Sequence, residues 1–204
     1  LGLGTAIFGT FFLLSLYMQQ VLGFSALETG LGYLAVALTA VVTSGISQAL
    51  VTRIGVKPVL MGGLIVLAGG LTYLTQVSVG GSYTSDLLLG LLLVGWGLGF
   101  SFVPVSIAAL SGITPGEAGL ASGLINTSQQ IGGALGLAIL VTVANTRAET
   151  RLDEGAPQPV AFTDGASVAF WVAVGLTLIA FVAAAFALRR DDLAPAPAGA
   201  ASVG

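Results

Sequence analysis

Residues 87–94 read Leu-Leu-Leu-Gly-Leu-Leu-Leu-Val, inside a stretch from Leu87 to Thr114 that carries no charge. A membrane β-strand alternates inward and outward side chains over about 10 residues. This run has no alternation. A helix of about 20 apolar residues, rising 1.5 Å each, crosses about 30 Å of hydrocarbon. The run therefore predicts a transmembrane helix, and the same reasoning extends outward along the chain. No charge precedes Glu28, and none lies in 29–52, between Lys57 and Asp86, between Glu117 and Arg147, or in 165–188. The six gaps predict spans at about 1–22, 30–52, 58–78, 86–110, 118–145 and 167–188. A charge at a span's centre costs about 2.5–3.5 kcal/mol on an insertion scale, so charges gather at the ends. Residues 1–22 lack a basic n-region and run too long for the h-region of a signal peptide.

Composition excludes most other classes. Of 204 residues, 55% are hydrophobic and 7% are charged, against about 25% charged in soluble domains. There is no His and no Cys. That removes His/Cys metal centres, thiol catalysis, disulfides and histidine acid–base chemistry. The net charge of −3, without a basic run, argues against a nucleic-acid partner. A membrane-embedded enzyme needs a nucleophile, an acid–base group or metal ligands at depth. No ionisable residue falls in the middle of any predicted span, so neither an enzyme nor a buried proton relay is predicted within this stretch. Residues 191–204 (DDLAPAPAGAASVG) read as a disordered tail behind a six-helix region over 1–190.

The punctuation between spans has helix chemistry. Ser25–Glu28 and Thr114–Glu117 both fit a capping box, a hydroxyl residue followed three later by Glu. Pro58 and Pro115 fit the first turn of a helix, whereas Pro104 falls inside the fourth span and predicts a kink there. The two boxes continue alike, as SALETGL from Ser25 and TPGEAGL from Thr114, and they precede spans three helices apart. An odd offset places the copies on opposite membrane faces, as an inverted 3+3 repeat requires; two unrelated helix starts using one capping rule give the same pattern. Glu28, Asp86 and Glu117 sit at helix starts, where the positive dipole end stabilises an acid. Arg53, Lys57, Arg189 and Arg190 fall on one side, against Arg147 and Arg151 on the other. The basic excess predicts both ends of this segment in the cytoplasm. The loop between spans five and six, about 20 residues long and acidic, is then external.

The fifth span is the most informative. At 100° per residue, Gly119, Ser122, Gly123, Asn126, Gln129, Gln130, Gly133 and Gly136 share an arc of about 140°, opposite Leu120, Leu124, Ile131 and Leu135. Amides are costly against lipid, so the arc faces protein or water. Two readings stand side by side: Gly119, Gly123, Gly133 and Gly136 allow close helix packing with the amides bonding across helices, or Asn126, Gln129 and Gln130 line a substrate cavity. In the first span Phe8, Phe12, Ser15 and Gln19 share a face, which fits packing, lipid or cavity wall. The fourth span combines Gly90, Gly95, Gly97 and Gly99 with Trp96, Phe100 and Pro104, the pattern of a thin, bendable helix at a crossing. Its Gly-x-Gly spacing lacks the preceding strand of a nucleotide site.

Between spans two and three the chain reads QALVTRIGVKPVLMGG (48–63). Leu50, Arg53, Gly55 and Lys57 match the cytoplasmic loop motif G-x-L-x-D-R-x-G-x-[RK] of the major facilitator superfamily. Gln48 replaces its Gly and Thr52 its Asp, which removes any gating ion pair through position 52. YMQQVLGFSALETGL (17–31) and GEAGLASGLINTSQQIGGALGLAIL (116–140) resemble the fourteen-helix drug/proton antiporters of that superfamily. The resemblance covers nearly all six spans. It implies the C-terminal six-helix bundle of such a transporter, with spans one, two, four and five around a central cavity and three and six outside. It also implies a partner N-terminal bundle of the same protein that holds the coupling acids, and a proton gradient rather than a cofactor as energy source.

Phe12, Gln19, Trp96, Phe100, Asn126, Gln129 and Gln130 are thus the candidate cavity residues. The expected function is proton-coupled efflux of drugs or other amphipathic small molecules across the plasma membrane by alternating access. Export of an endogenous metabolite or antibiotic is the alternative, and a non-transporting membrane scaffold a third reading.

Overall fold

A backbone in hydrocarbon must satisfy its own hydrogen bonds, so long uncharged stretches become helices. The computed structural model describes residues 2–114 and 116–187. The predicted tail 191–204, Arg189, Arg190 and Pro115 lie outside the described residues. The helices are α1 (Gly2–Gln20), α2 (Ala26–Gly32), α3 (Leu34–Ile54), α4 (Val56–Leu74), α5 (Leu88–Leu110), α6 (Ala118–Asp153) and α7 (Gln158–Ala187), with a π-helical turn at Tyr83–Leu87 leading into α5. Among the described residues there is no strand. Six helical stretches among the described residues are long and apolar enough to cross a membrane: Gly2–Gln20, Ala26–Ile54, Val56–Leu74, Tyr83–Leu110, Ala118–Asp153 and Gln158–Phe186. The chain is an all-α, multi-pass membrane protein.

The helices obey a threefold offset. The first span (α1) packs on the fifth and sixth (α6, α7), and the fourth (α5) packs on the second and third (α3, α4). The third and sixth (α4, α7) pack on each other. Advancing every span by three maps this set of packings onto itself, as an inverted repeat of three helices demands. The symmetry is imperfect, because α6 and α7 pack extensively whereas α3 and α4 touch lightly. Tyr17, Met18, Leu67, Leu71, Leu91, Leu140 and Phe170 are fully buried between α1, α4, α5, α6 and α7. Lipid tails are as apolar as Leu, so close van der Waals fit rather than hydrophobicity holds these helices together, and small residues permit it. A Cβ placed on Gly97 would lie 2.6 Å from the Leu67 backbone nitrogen, and one on Gly70 would lie 2.8 Å from that of Val94.

Three local features depart from the sequence reading. First, the predicted acidic loop of about 20 residues between spans five and six is mostly helix. α6 runs 36 residues to Asp153, and only 154–157 separate it from α7. At 1.5 Å per residue α6 is about 54 Å long, well beyond a bilayer core of about 30 Å. Charges end a membrane span but not a helix. Arg151 pairs with Glu154 at 2.7 Å and with Asp164 of α7 at 2.6 Å, which supports the projecting end. Second, only one of the two capping boxes forms. The Ser25 hydroxyl accepts from the Glu28 N–H at 3.2 Å, and the Glu28 carboxylate accepts from the Ser25 N–H at 2.7 Å. At the other site Glu117 is itself the N-cap, its N–H bonds the Thr114 carbonyl at 2.9 Å, and its carboxylate takes the Thr114 hydroxyl at 2.7 Å. Third, the second span is interrupted at Tyr33. The Tyr33 hydroxyl donates to the Phe11 carbonyl of α1 at 2.6 Å, and the two rings stack with centroids 5.0 Å apart. Tyr83 donates to the Gly32 carbonyl at 2.7 Å from the other side.

α5 continues through Pro104 to Leu110. Proline has no N–H for the carbonyl four residues earlier, which is that of Phe100. Gly63 of α4 lies directly against that carbonyl, a position suited to a weak Cα–H···O contact.

A candidate substrate-facing wall

The candidate residues sort by whether this bundle covers them. On α1, Phe8 and Phe12 are 49% and 42% exposed, and Gln19 is exposed on the same face. Ser15 of that face is drawn inward. Its hydroxyl donates to the Phe11 carbonyl at 2.9 Å and lies 3.0 Å from the Tyr33 hydroxyl. On α5, Trp96 is 48% exposed, with its ring centroid 6.3 Å from that of Phe100 and the rings tilted by 36°. Phe100 is half-buried, because its backbone is fixed on Gly63 and its side chain adjoins the small cluster of Val51, Val56 and Val59. α1 and α5 are related by the three-span offset, and each carries two aromatic residues four positions apart, Phe8 and Phe12 on one and Trp96 with the half-buried Phe100 on the other.

α6 divides the predicted arc in two. Asn126 and Gln130 are exposed, and Gly119 and Gly123 meet no neighbour within 4 Å of an added Cβ. Gly133 and Gly136 are buried against α1, Gly133 under the Phe8 ring and Gly136 against the Thr5 backbone. Gln129 is half-buried, and its backbone carbonyl lies against Gly4 of α1. It borders an open pocket of about 700 Å³ between α1, α4, α5, α6 and α7, whose wall is aliphatic apart from Thr5, Ser128 and Gln129. The arc is therefore two surfaces. Gly133, Gly136 and Gln129 make the seam with α1, and Gly119, Gly123, Asn126 and Gln130 are exposed. Helical spacing alone does not distinguish these, because 140° is wide enough to hold both a neighbour and a void.

The loop-motif residues do structural work at the α3–α4 junction. Gly55 alone separates the two helices, with φ 90° and ψ 168°, a backbone that side chains strain to adopt. Lys57 reaches across and donates to the Ala185 carbonyl in the last turn of α7 at 2.6 Å, where a cation also complements the negative end of the helix dipole. Leu50 packs against the Val51, Val56 and Val59 cluster, while Arg53 is exposed. The acids at helix starts serve the ends of the helices. Glu28 caps α2. Asp86 accepts from the Ser78 N–H at 3.0 Å, the Ser78 hydroxyl at 2.9 Å and the Ser85 hydroxyl at 2.5 Å, tying the α4–α5 connection shut. Tyr17 donates to the Ser78 carbonyl at 2.6 Å and so anchors α1 to the same connection. Sequence reasoning missed Phe8 as a wall residue and Tyr33 as an interhelical donor. Phe8 carried a signal, its shared face with Phe12 and Gln19; Tyr33 carried none, since its partner is a backbone carbonyl.

A family model described as "Major Facilitator Superfamily" matches residues 1–202. The chain is 33% identical over 204 residues to the puromycin resistance protein pur8 of Streptomyces alboniger, covering 97% of this chain and 41% of that protein. It is 34% identical over 139 residues to the multidrug resistance protein B homolog of Mycobacterium tuberculosis, covering 68% of this chain and 26% of that protein. It is 35% identical over 136 residues to the cephamycin export protein CmcT of Amycolatopsis lactamdurans, covering 66% of this chain and 28% of that protein. The chain thus spans less than half the length of these relatives, whose names are those of transport and resistance proteins rather than enzymes. A matching family model over nearly the whole sequence, six membrane-length helices and a three-span packing offset converge: the chain belongs to the Major Facilitator Superfamily.

Proposed function

We propose that this chain is the C-terminal half of a proton-coupled exporter of drugs or other amphipathic small molecules, working by alternating access in the plasma membrane. The observation that carries the proposal is the uncovered wall. Phe12 on α1, Trp96 on α5 and the amides Asn126 and Gln130 on α6 are left exposed by this bundle, although exposed amides are costly in lipid. A second bundle resting opposite this wall encloses an aromatic, hydrogen-bonding and uncharged surface, suited to amphipathic compounds. The resistance and multidrug names of the relatives support the same reading.

The proton-coupling groups then come from the other bundle, because the charged residues of this one cluster at helix ends. Rocking of one bundle against the other supplies alternating access. The basic residues Arg53 and Lys57 at the α3–α4 junction support a cytoplasmic location for that face. Similarity to a protein named for cephamycin export favours a second reading in which the substrate is a compound made by the cell itself.

The test uses the full-length protein that contains this chain, in inside-out vesicles. Ethidium or rhodamine 6G uptake should depend on the imposed proton gradient and collapse with an uncoupler. Gradient-independent uptake overturns the coupling, and no uptake of any amphipathic compound above empty vesicles overturns the exporter reading.

A further inference from the structure

Gly133 on α6 and Phe8 on α1 meet at the edge of the uncovered wall. A Cβ on Gly133 would lie 2.9 Å from both Cγ and Cδ2 of the Phe8 ring and 3.3 Å from Cδ1. The inner part of the ring therefore rests on the glycine, while Phe8 as a whole stays 49% exposed. Gly4 and Gly136 on the same seam meet backbone. A Cβ on Gly4 would lie 2.6 Å from the Gln129 carbonyl oxygen, and one on Gly136 would strike the Thr5 backbone. Backbone in a helix cannot yield without separating α1 from α6. A ring can, by turning to another staggered rotamer.

We infer that Gly133 is a positioning residue for substrate selection: it holds the Phe8 ring back against α6 and so sets the depth of the wall at that level. The functional half of this inference rests on the exporter reading; the geometric half does not. An added methyl group at position 133 blocks the resting place of the ring and drives it outward, toward the side no helix of this bundle covers. The wall becomes shallower there, and bulky substrates lose contact or clash while small ones do not. Gly136 offers no such adjustment, so substitution there separates the helices instead.

The experiment places 4-fluorophenylalanine at position 8 of the full-length protein and compares wild type with Gly133→Ala. The ¹⁹F resonance should shift with folded yield retained, whereas Gly136→Ala should lower the yield. In vesicles, the ratio of rhodamine 6G to ethidium export should fall about tenfold, the usual effect of one carbon in an apolar pocket. In a Phe8→Ala background, Gly133→Ala should leave that ratio unchanged, since the mediating ring is gone. An unmoved resonance, a yield loss equal to that of Gly136→Ala, or an undiminished effect in the Phe8→Ala background overturns the inference. A shifted resonance with an unchanged export ratio overturns the role in selection. A shifted resonance in a protein that exports neither dye overturns the exporter reading and leaves the ring geometry standing.

Discussion

The carbonyl oxygen of Phe100, deprived of its helical donor by Pro104, faces Gly63 across the α4–α5 crossing, where a Cβ would lie 2.7 Å from it. The proline and the glycine act together. One frees a carbonyl in the membrane interior, and the other lets a neighbouring helix approach close enough to shield it. Gly63→Ala should therefore cost more than filling an ordinary surface site, about 1–3 kcal/mol as overpacking against backbone. Thermal unfolding of the detergent-solubilised full-length protein measures this. Gly62→Ala is the control, because no atom lies within 4 Å of a Cβ there. Equal melting temperatures for the two variants would contradict the crossing geometry.

The two capping sequences predict opposite sensitivities. The Ser25 hydroxyl accepts from the Glu28 N–H while the Glu28 carboxylate accepts from the Ser25 N–H, whereas the Thr114 hydroxyl only donates to the Glu117 carboxylate. Ser25→Ala should lower stability by about 1 kcal/mol, the usual loss of an N-cap. Thr114→Ala should cost clearly less, because α6 starts without a side-chain cap. Chemical unfolding of the paired single mutants separates the cases, and equal losses would show that both boxes form.

Lys57→Met should weaken the tie between α4 and α7 by removing the bond to the Ala185 carbonyl. The expected loss is about 0.6–1.7 kcal/mol, the range for interhelical hydrogen bonds in membranes. Gly55→Ala should cost about 1–3 kcal/mol through its strained backbone instead. Lys57→Arg keeps a donor and should recover part of the loss, whereas no conservative substitution recovers Gly55. Melting temperatures of the four proteins decide the matter.

Orientation is testable at exposed positions on the two sides. Cysteine at Thr52, beside the α3–α4 junction, should be shielded from an impermeant thiol reagent in intact cells, and cysteine at Asp153 should label. Both positions are exposed, so burial cannot mimic shielding by the membrane. The reverse pattern would place the basic junction outside.

Much of this architecture is legible in the sequence because hydrocarbon tolerates so few alternatives. Uncharged stretches locate the helices, since a single central charge is prohibitive. The ends are legible only as far as charge and helix coincide. From Arg147 to Asp153 they do not, because those residues leave the membrane while continuing α6. The arc on α6 shows a second limit. Spacing places Gln129 and Gln130 together, but one is half-buried at the α1 seam and the other exposed, a difference set by where α1 lies. Trp96 and Phe12 are readable as a pair only after the three-span offset relates their helices. The Asp86 clamp on Ser78 and Ser85 is invisible beforehand, because an acid at a helix start looks the same whether it caps the helix or folds back on the preceding loop.

Gln130 and Gln129 provide the sharpest test of the wall. Gln130 is exposed, so Gln130→Ala removes little from the packing of this bundle. Within the exporter reading the amide meets substrate, and losing a neutral hydrogen bond worth about 1 kcal/mol should change relative export about fivefold among compounds that differ in a hydrogen-bonding group. Folded yield and melting temperature should stay at wild-type levels. Gln129→Ala should behave differently, because Gln129 is half-buried at the α1 seam and borders the pocket beside it. There the effect should fall on stability, and export ratios should hold. The two residues are neighbours of one chemistry, so any general effect of deleting an amide in a membrane helix appears in both. Only their directions differ. If Gln129→Ala alters selectivity and Gln130→Ala alters stability, the assignment of the two faces of α6 is reversed; if neither changes export ratios, α6 contributes packing and no recognition.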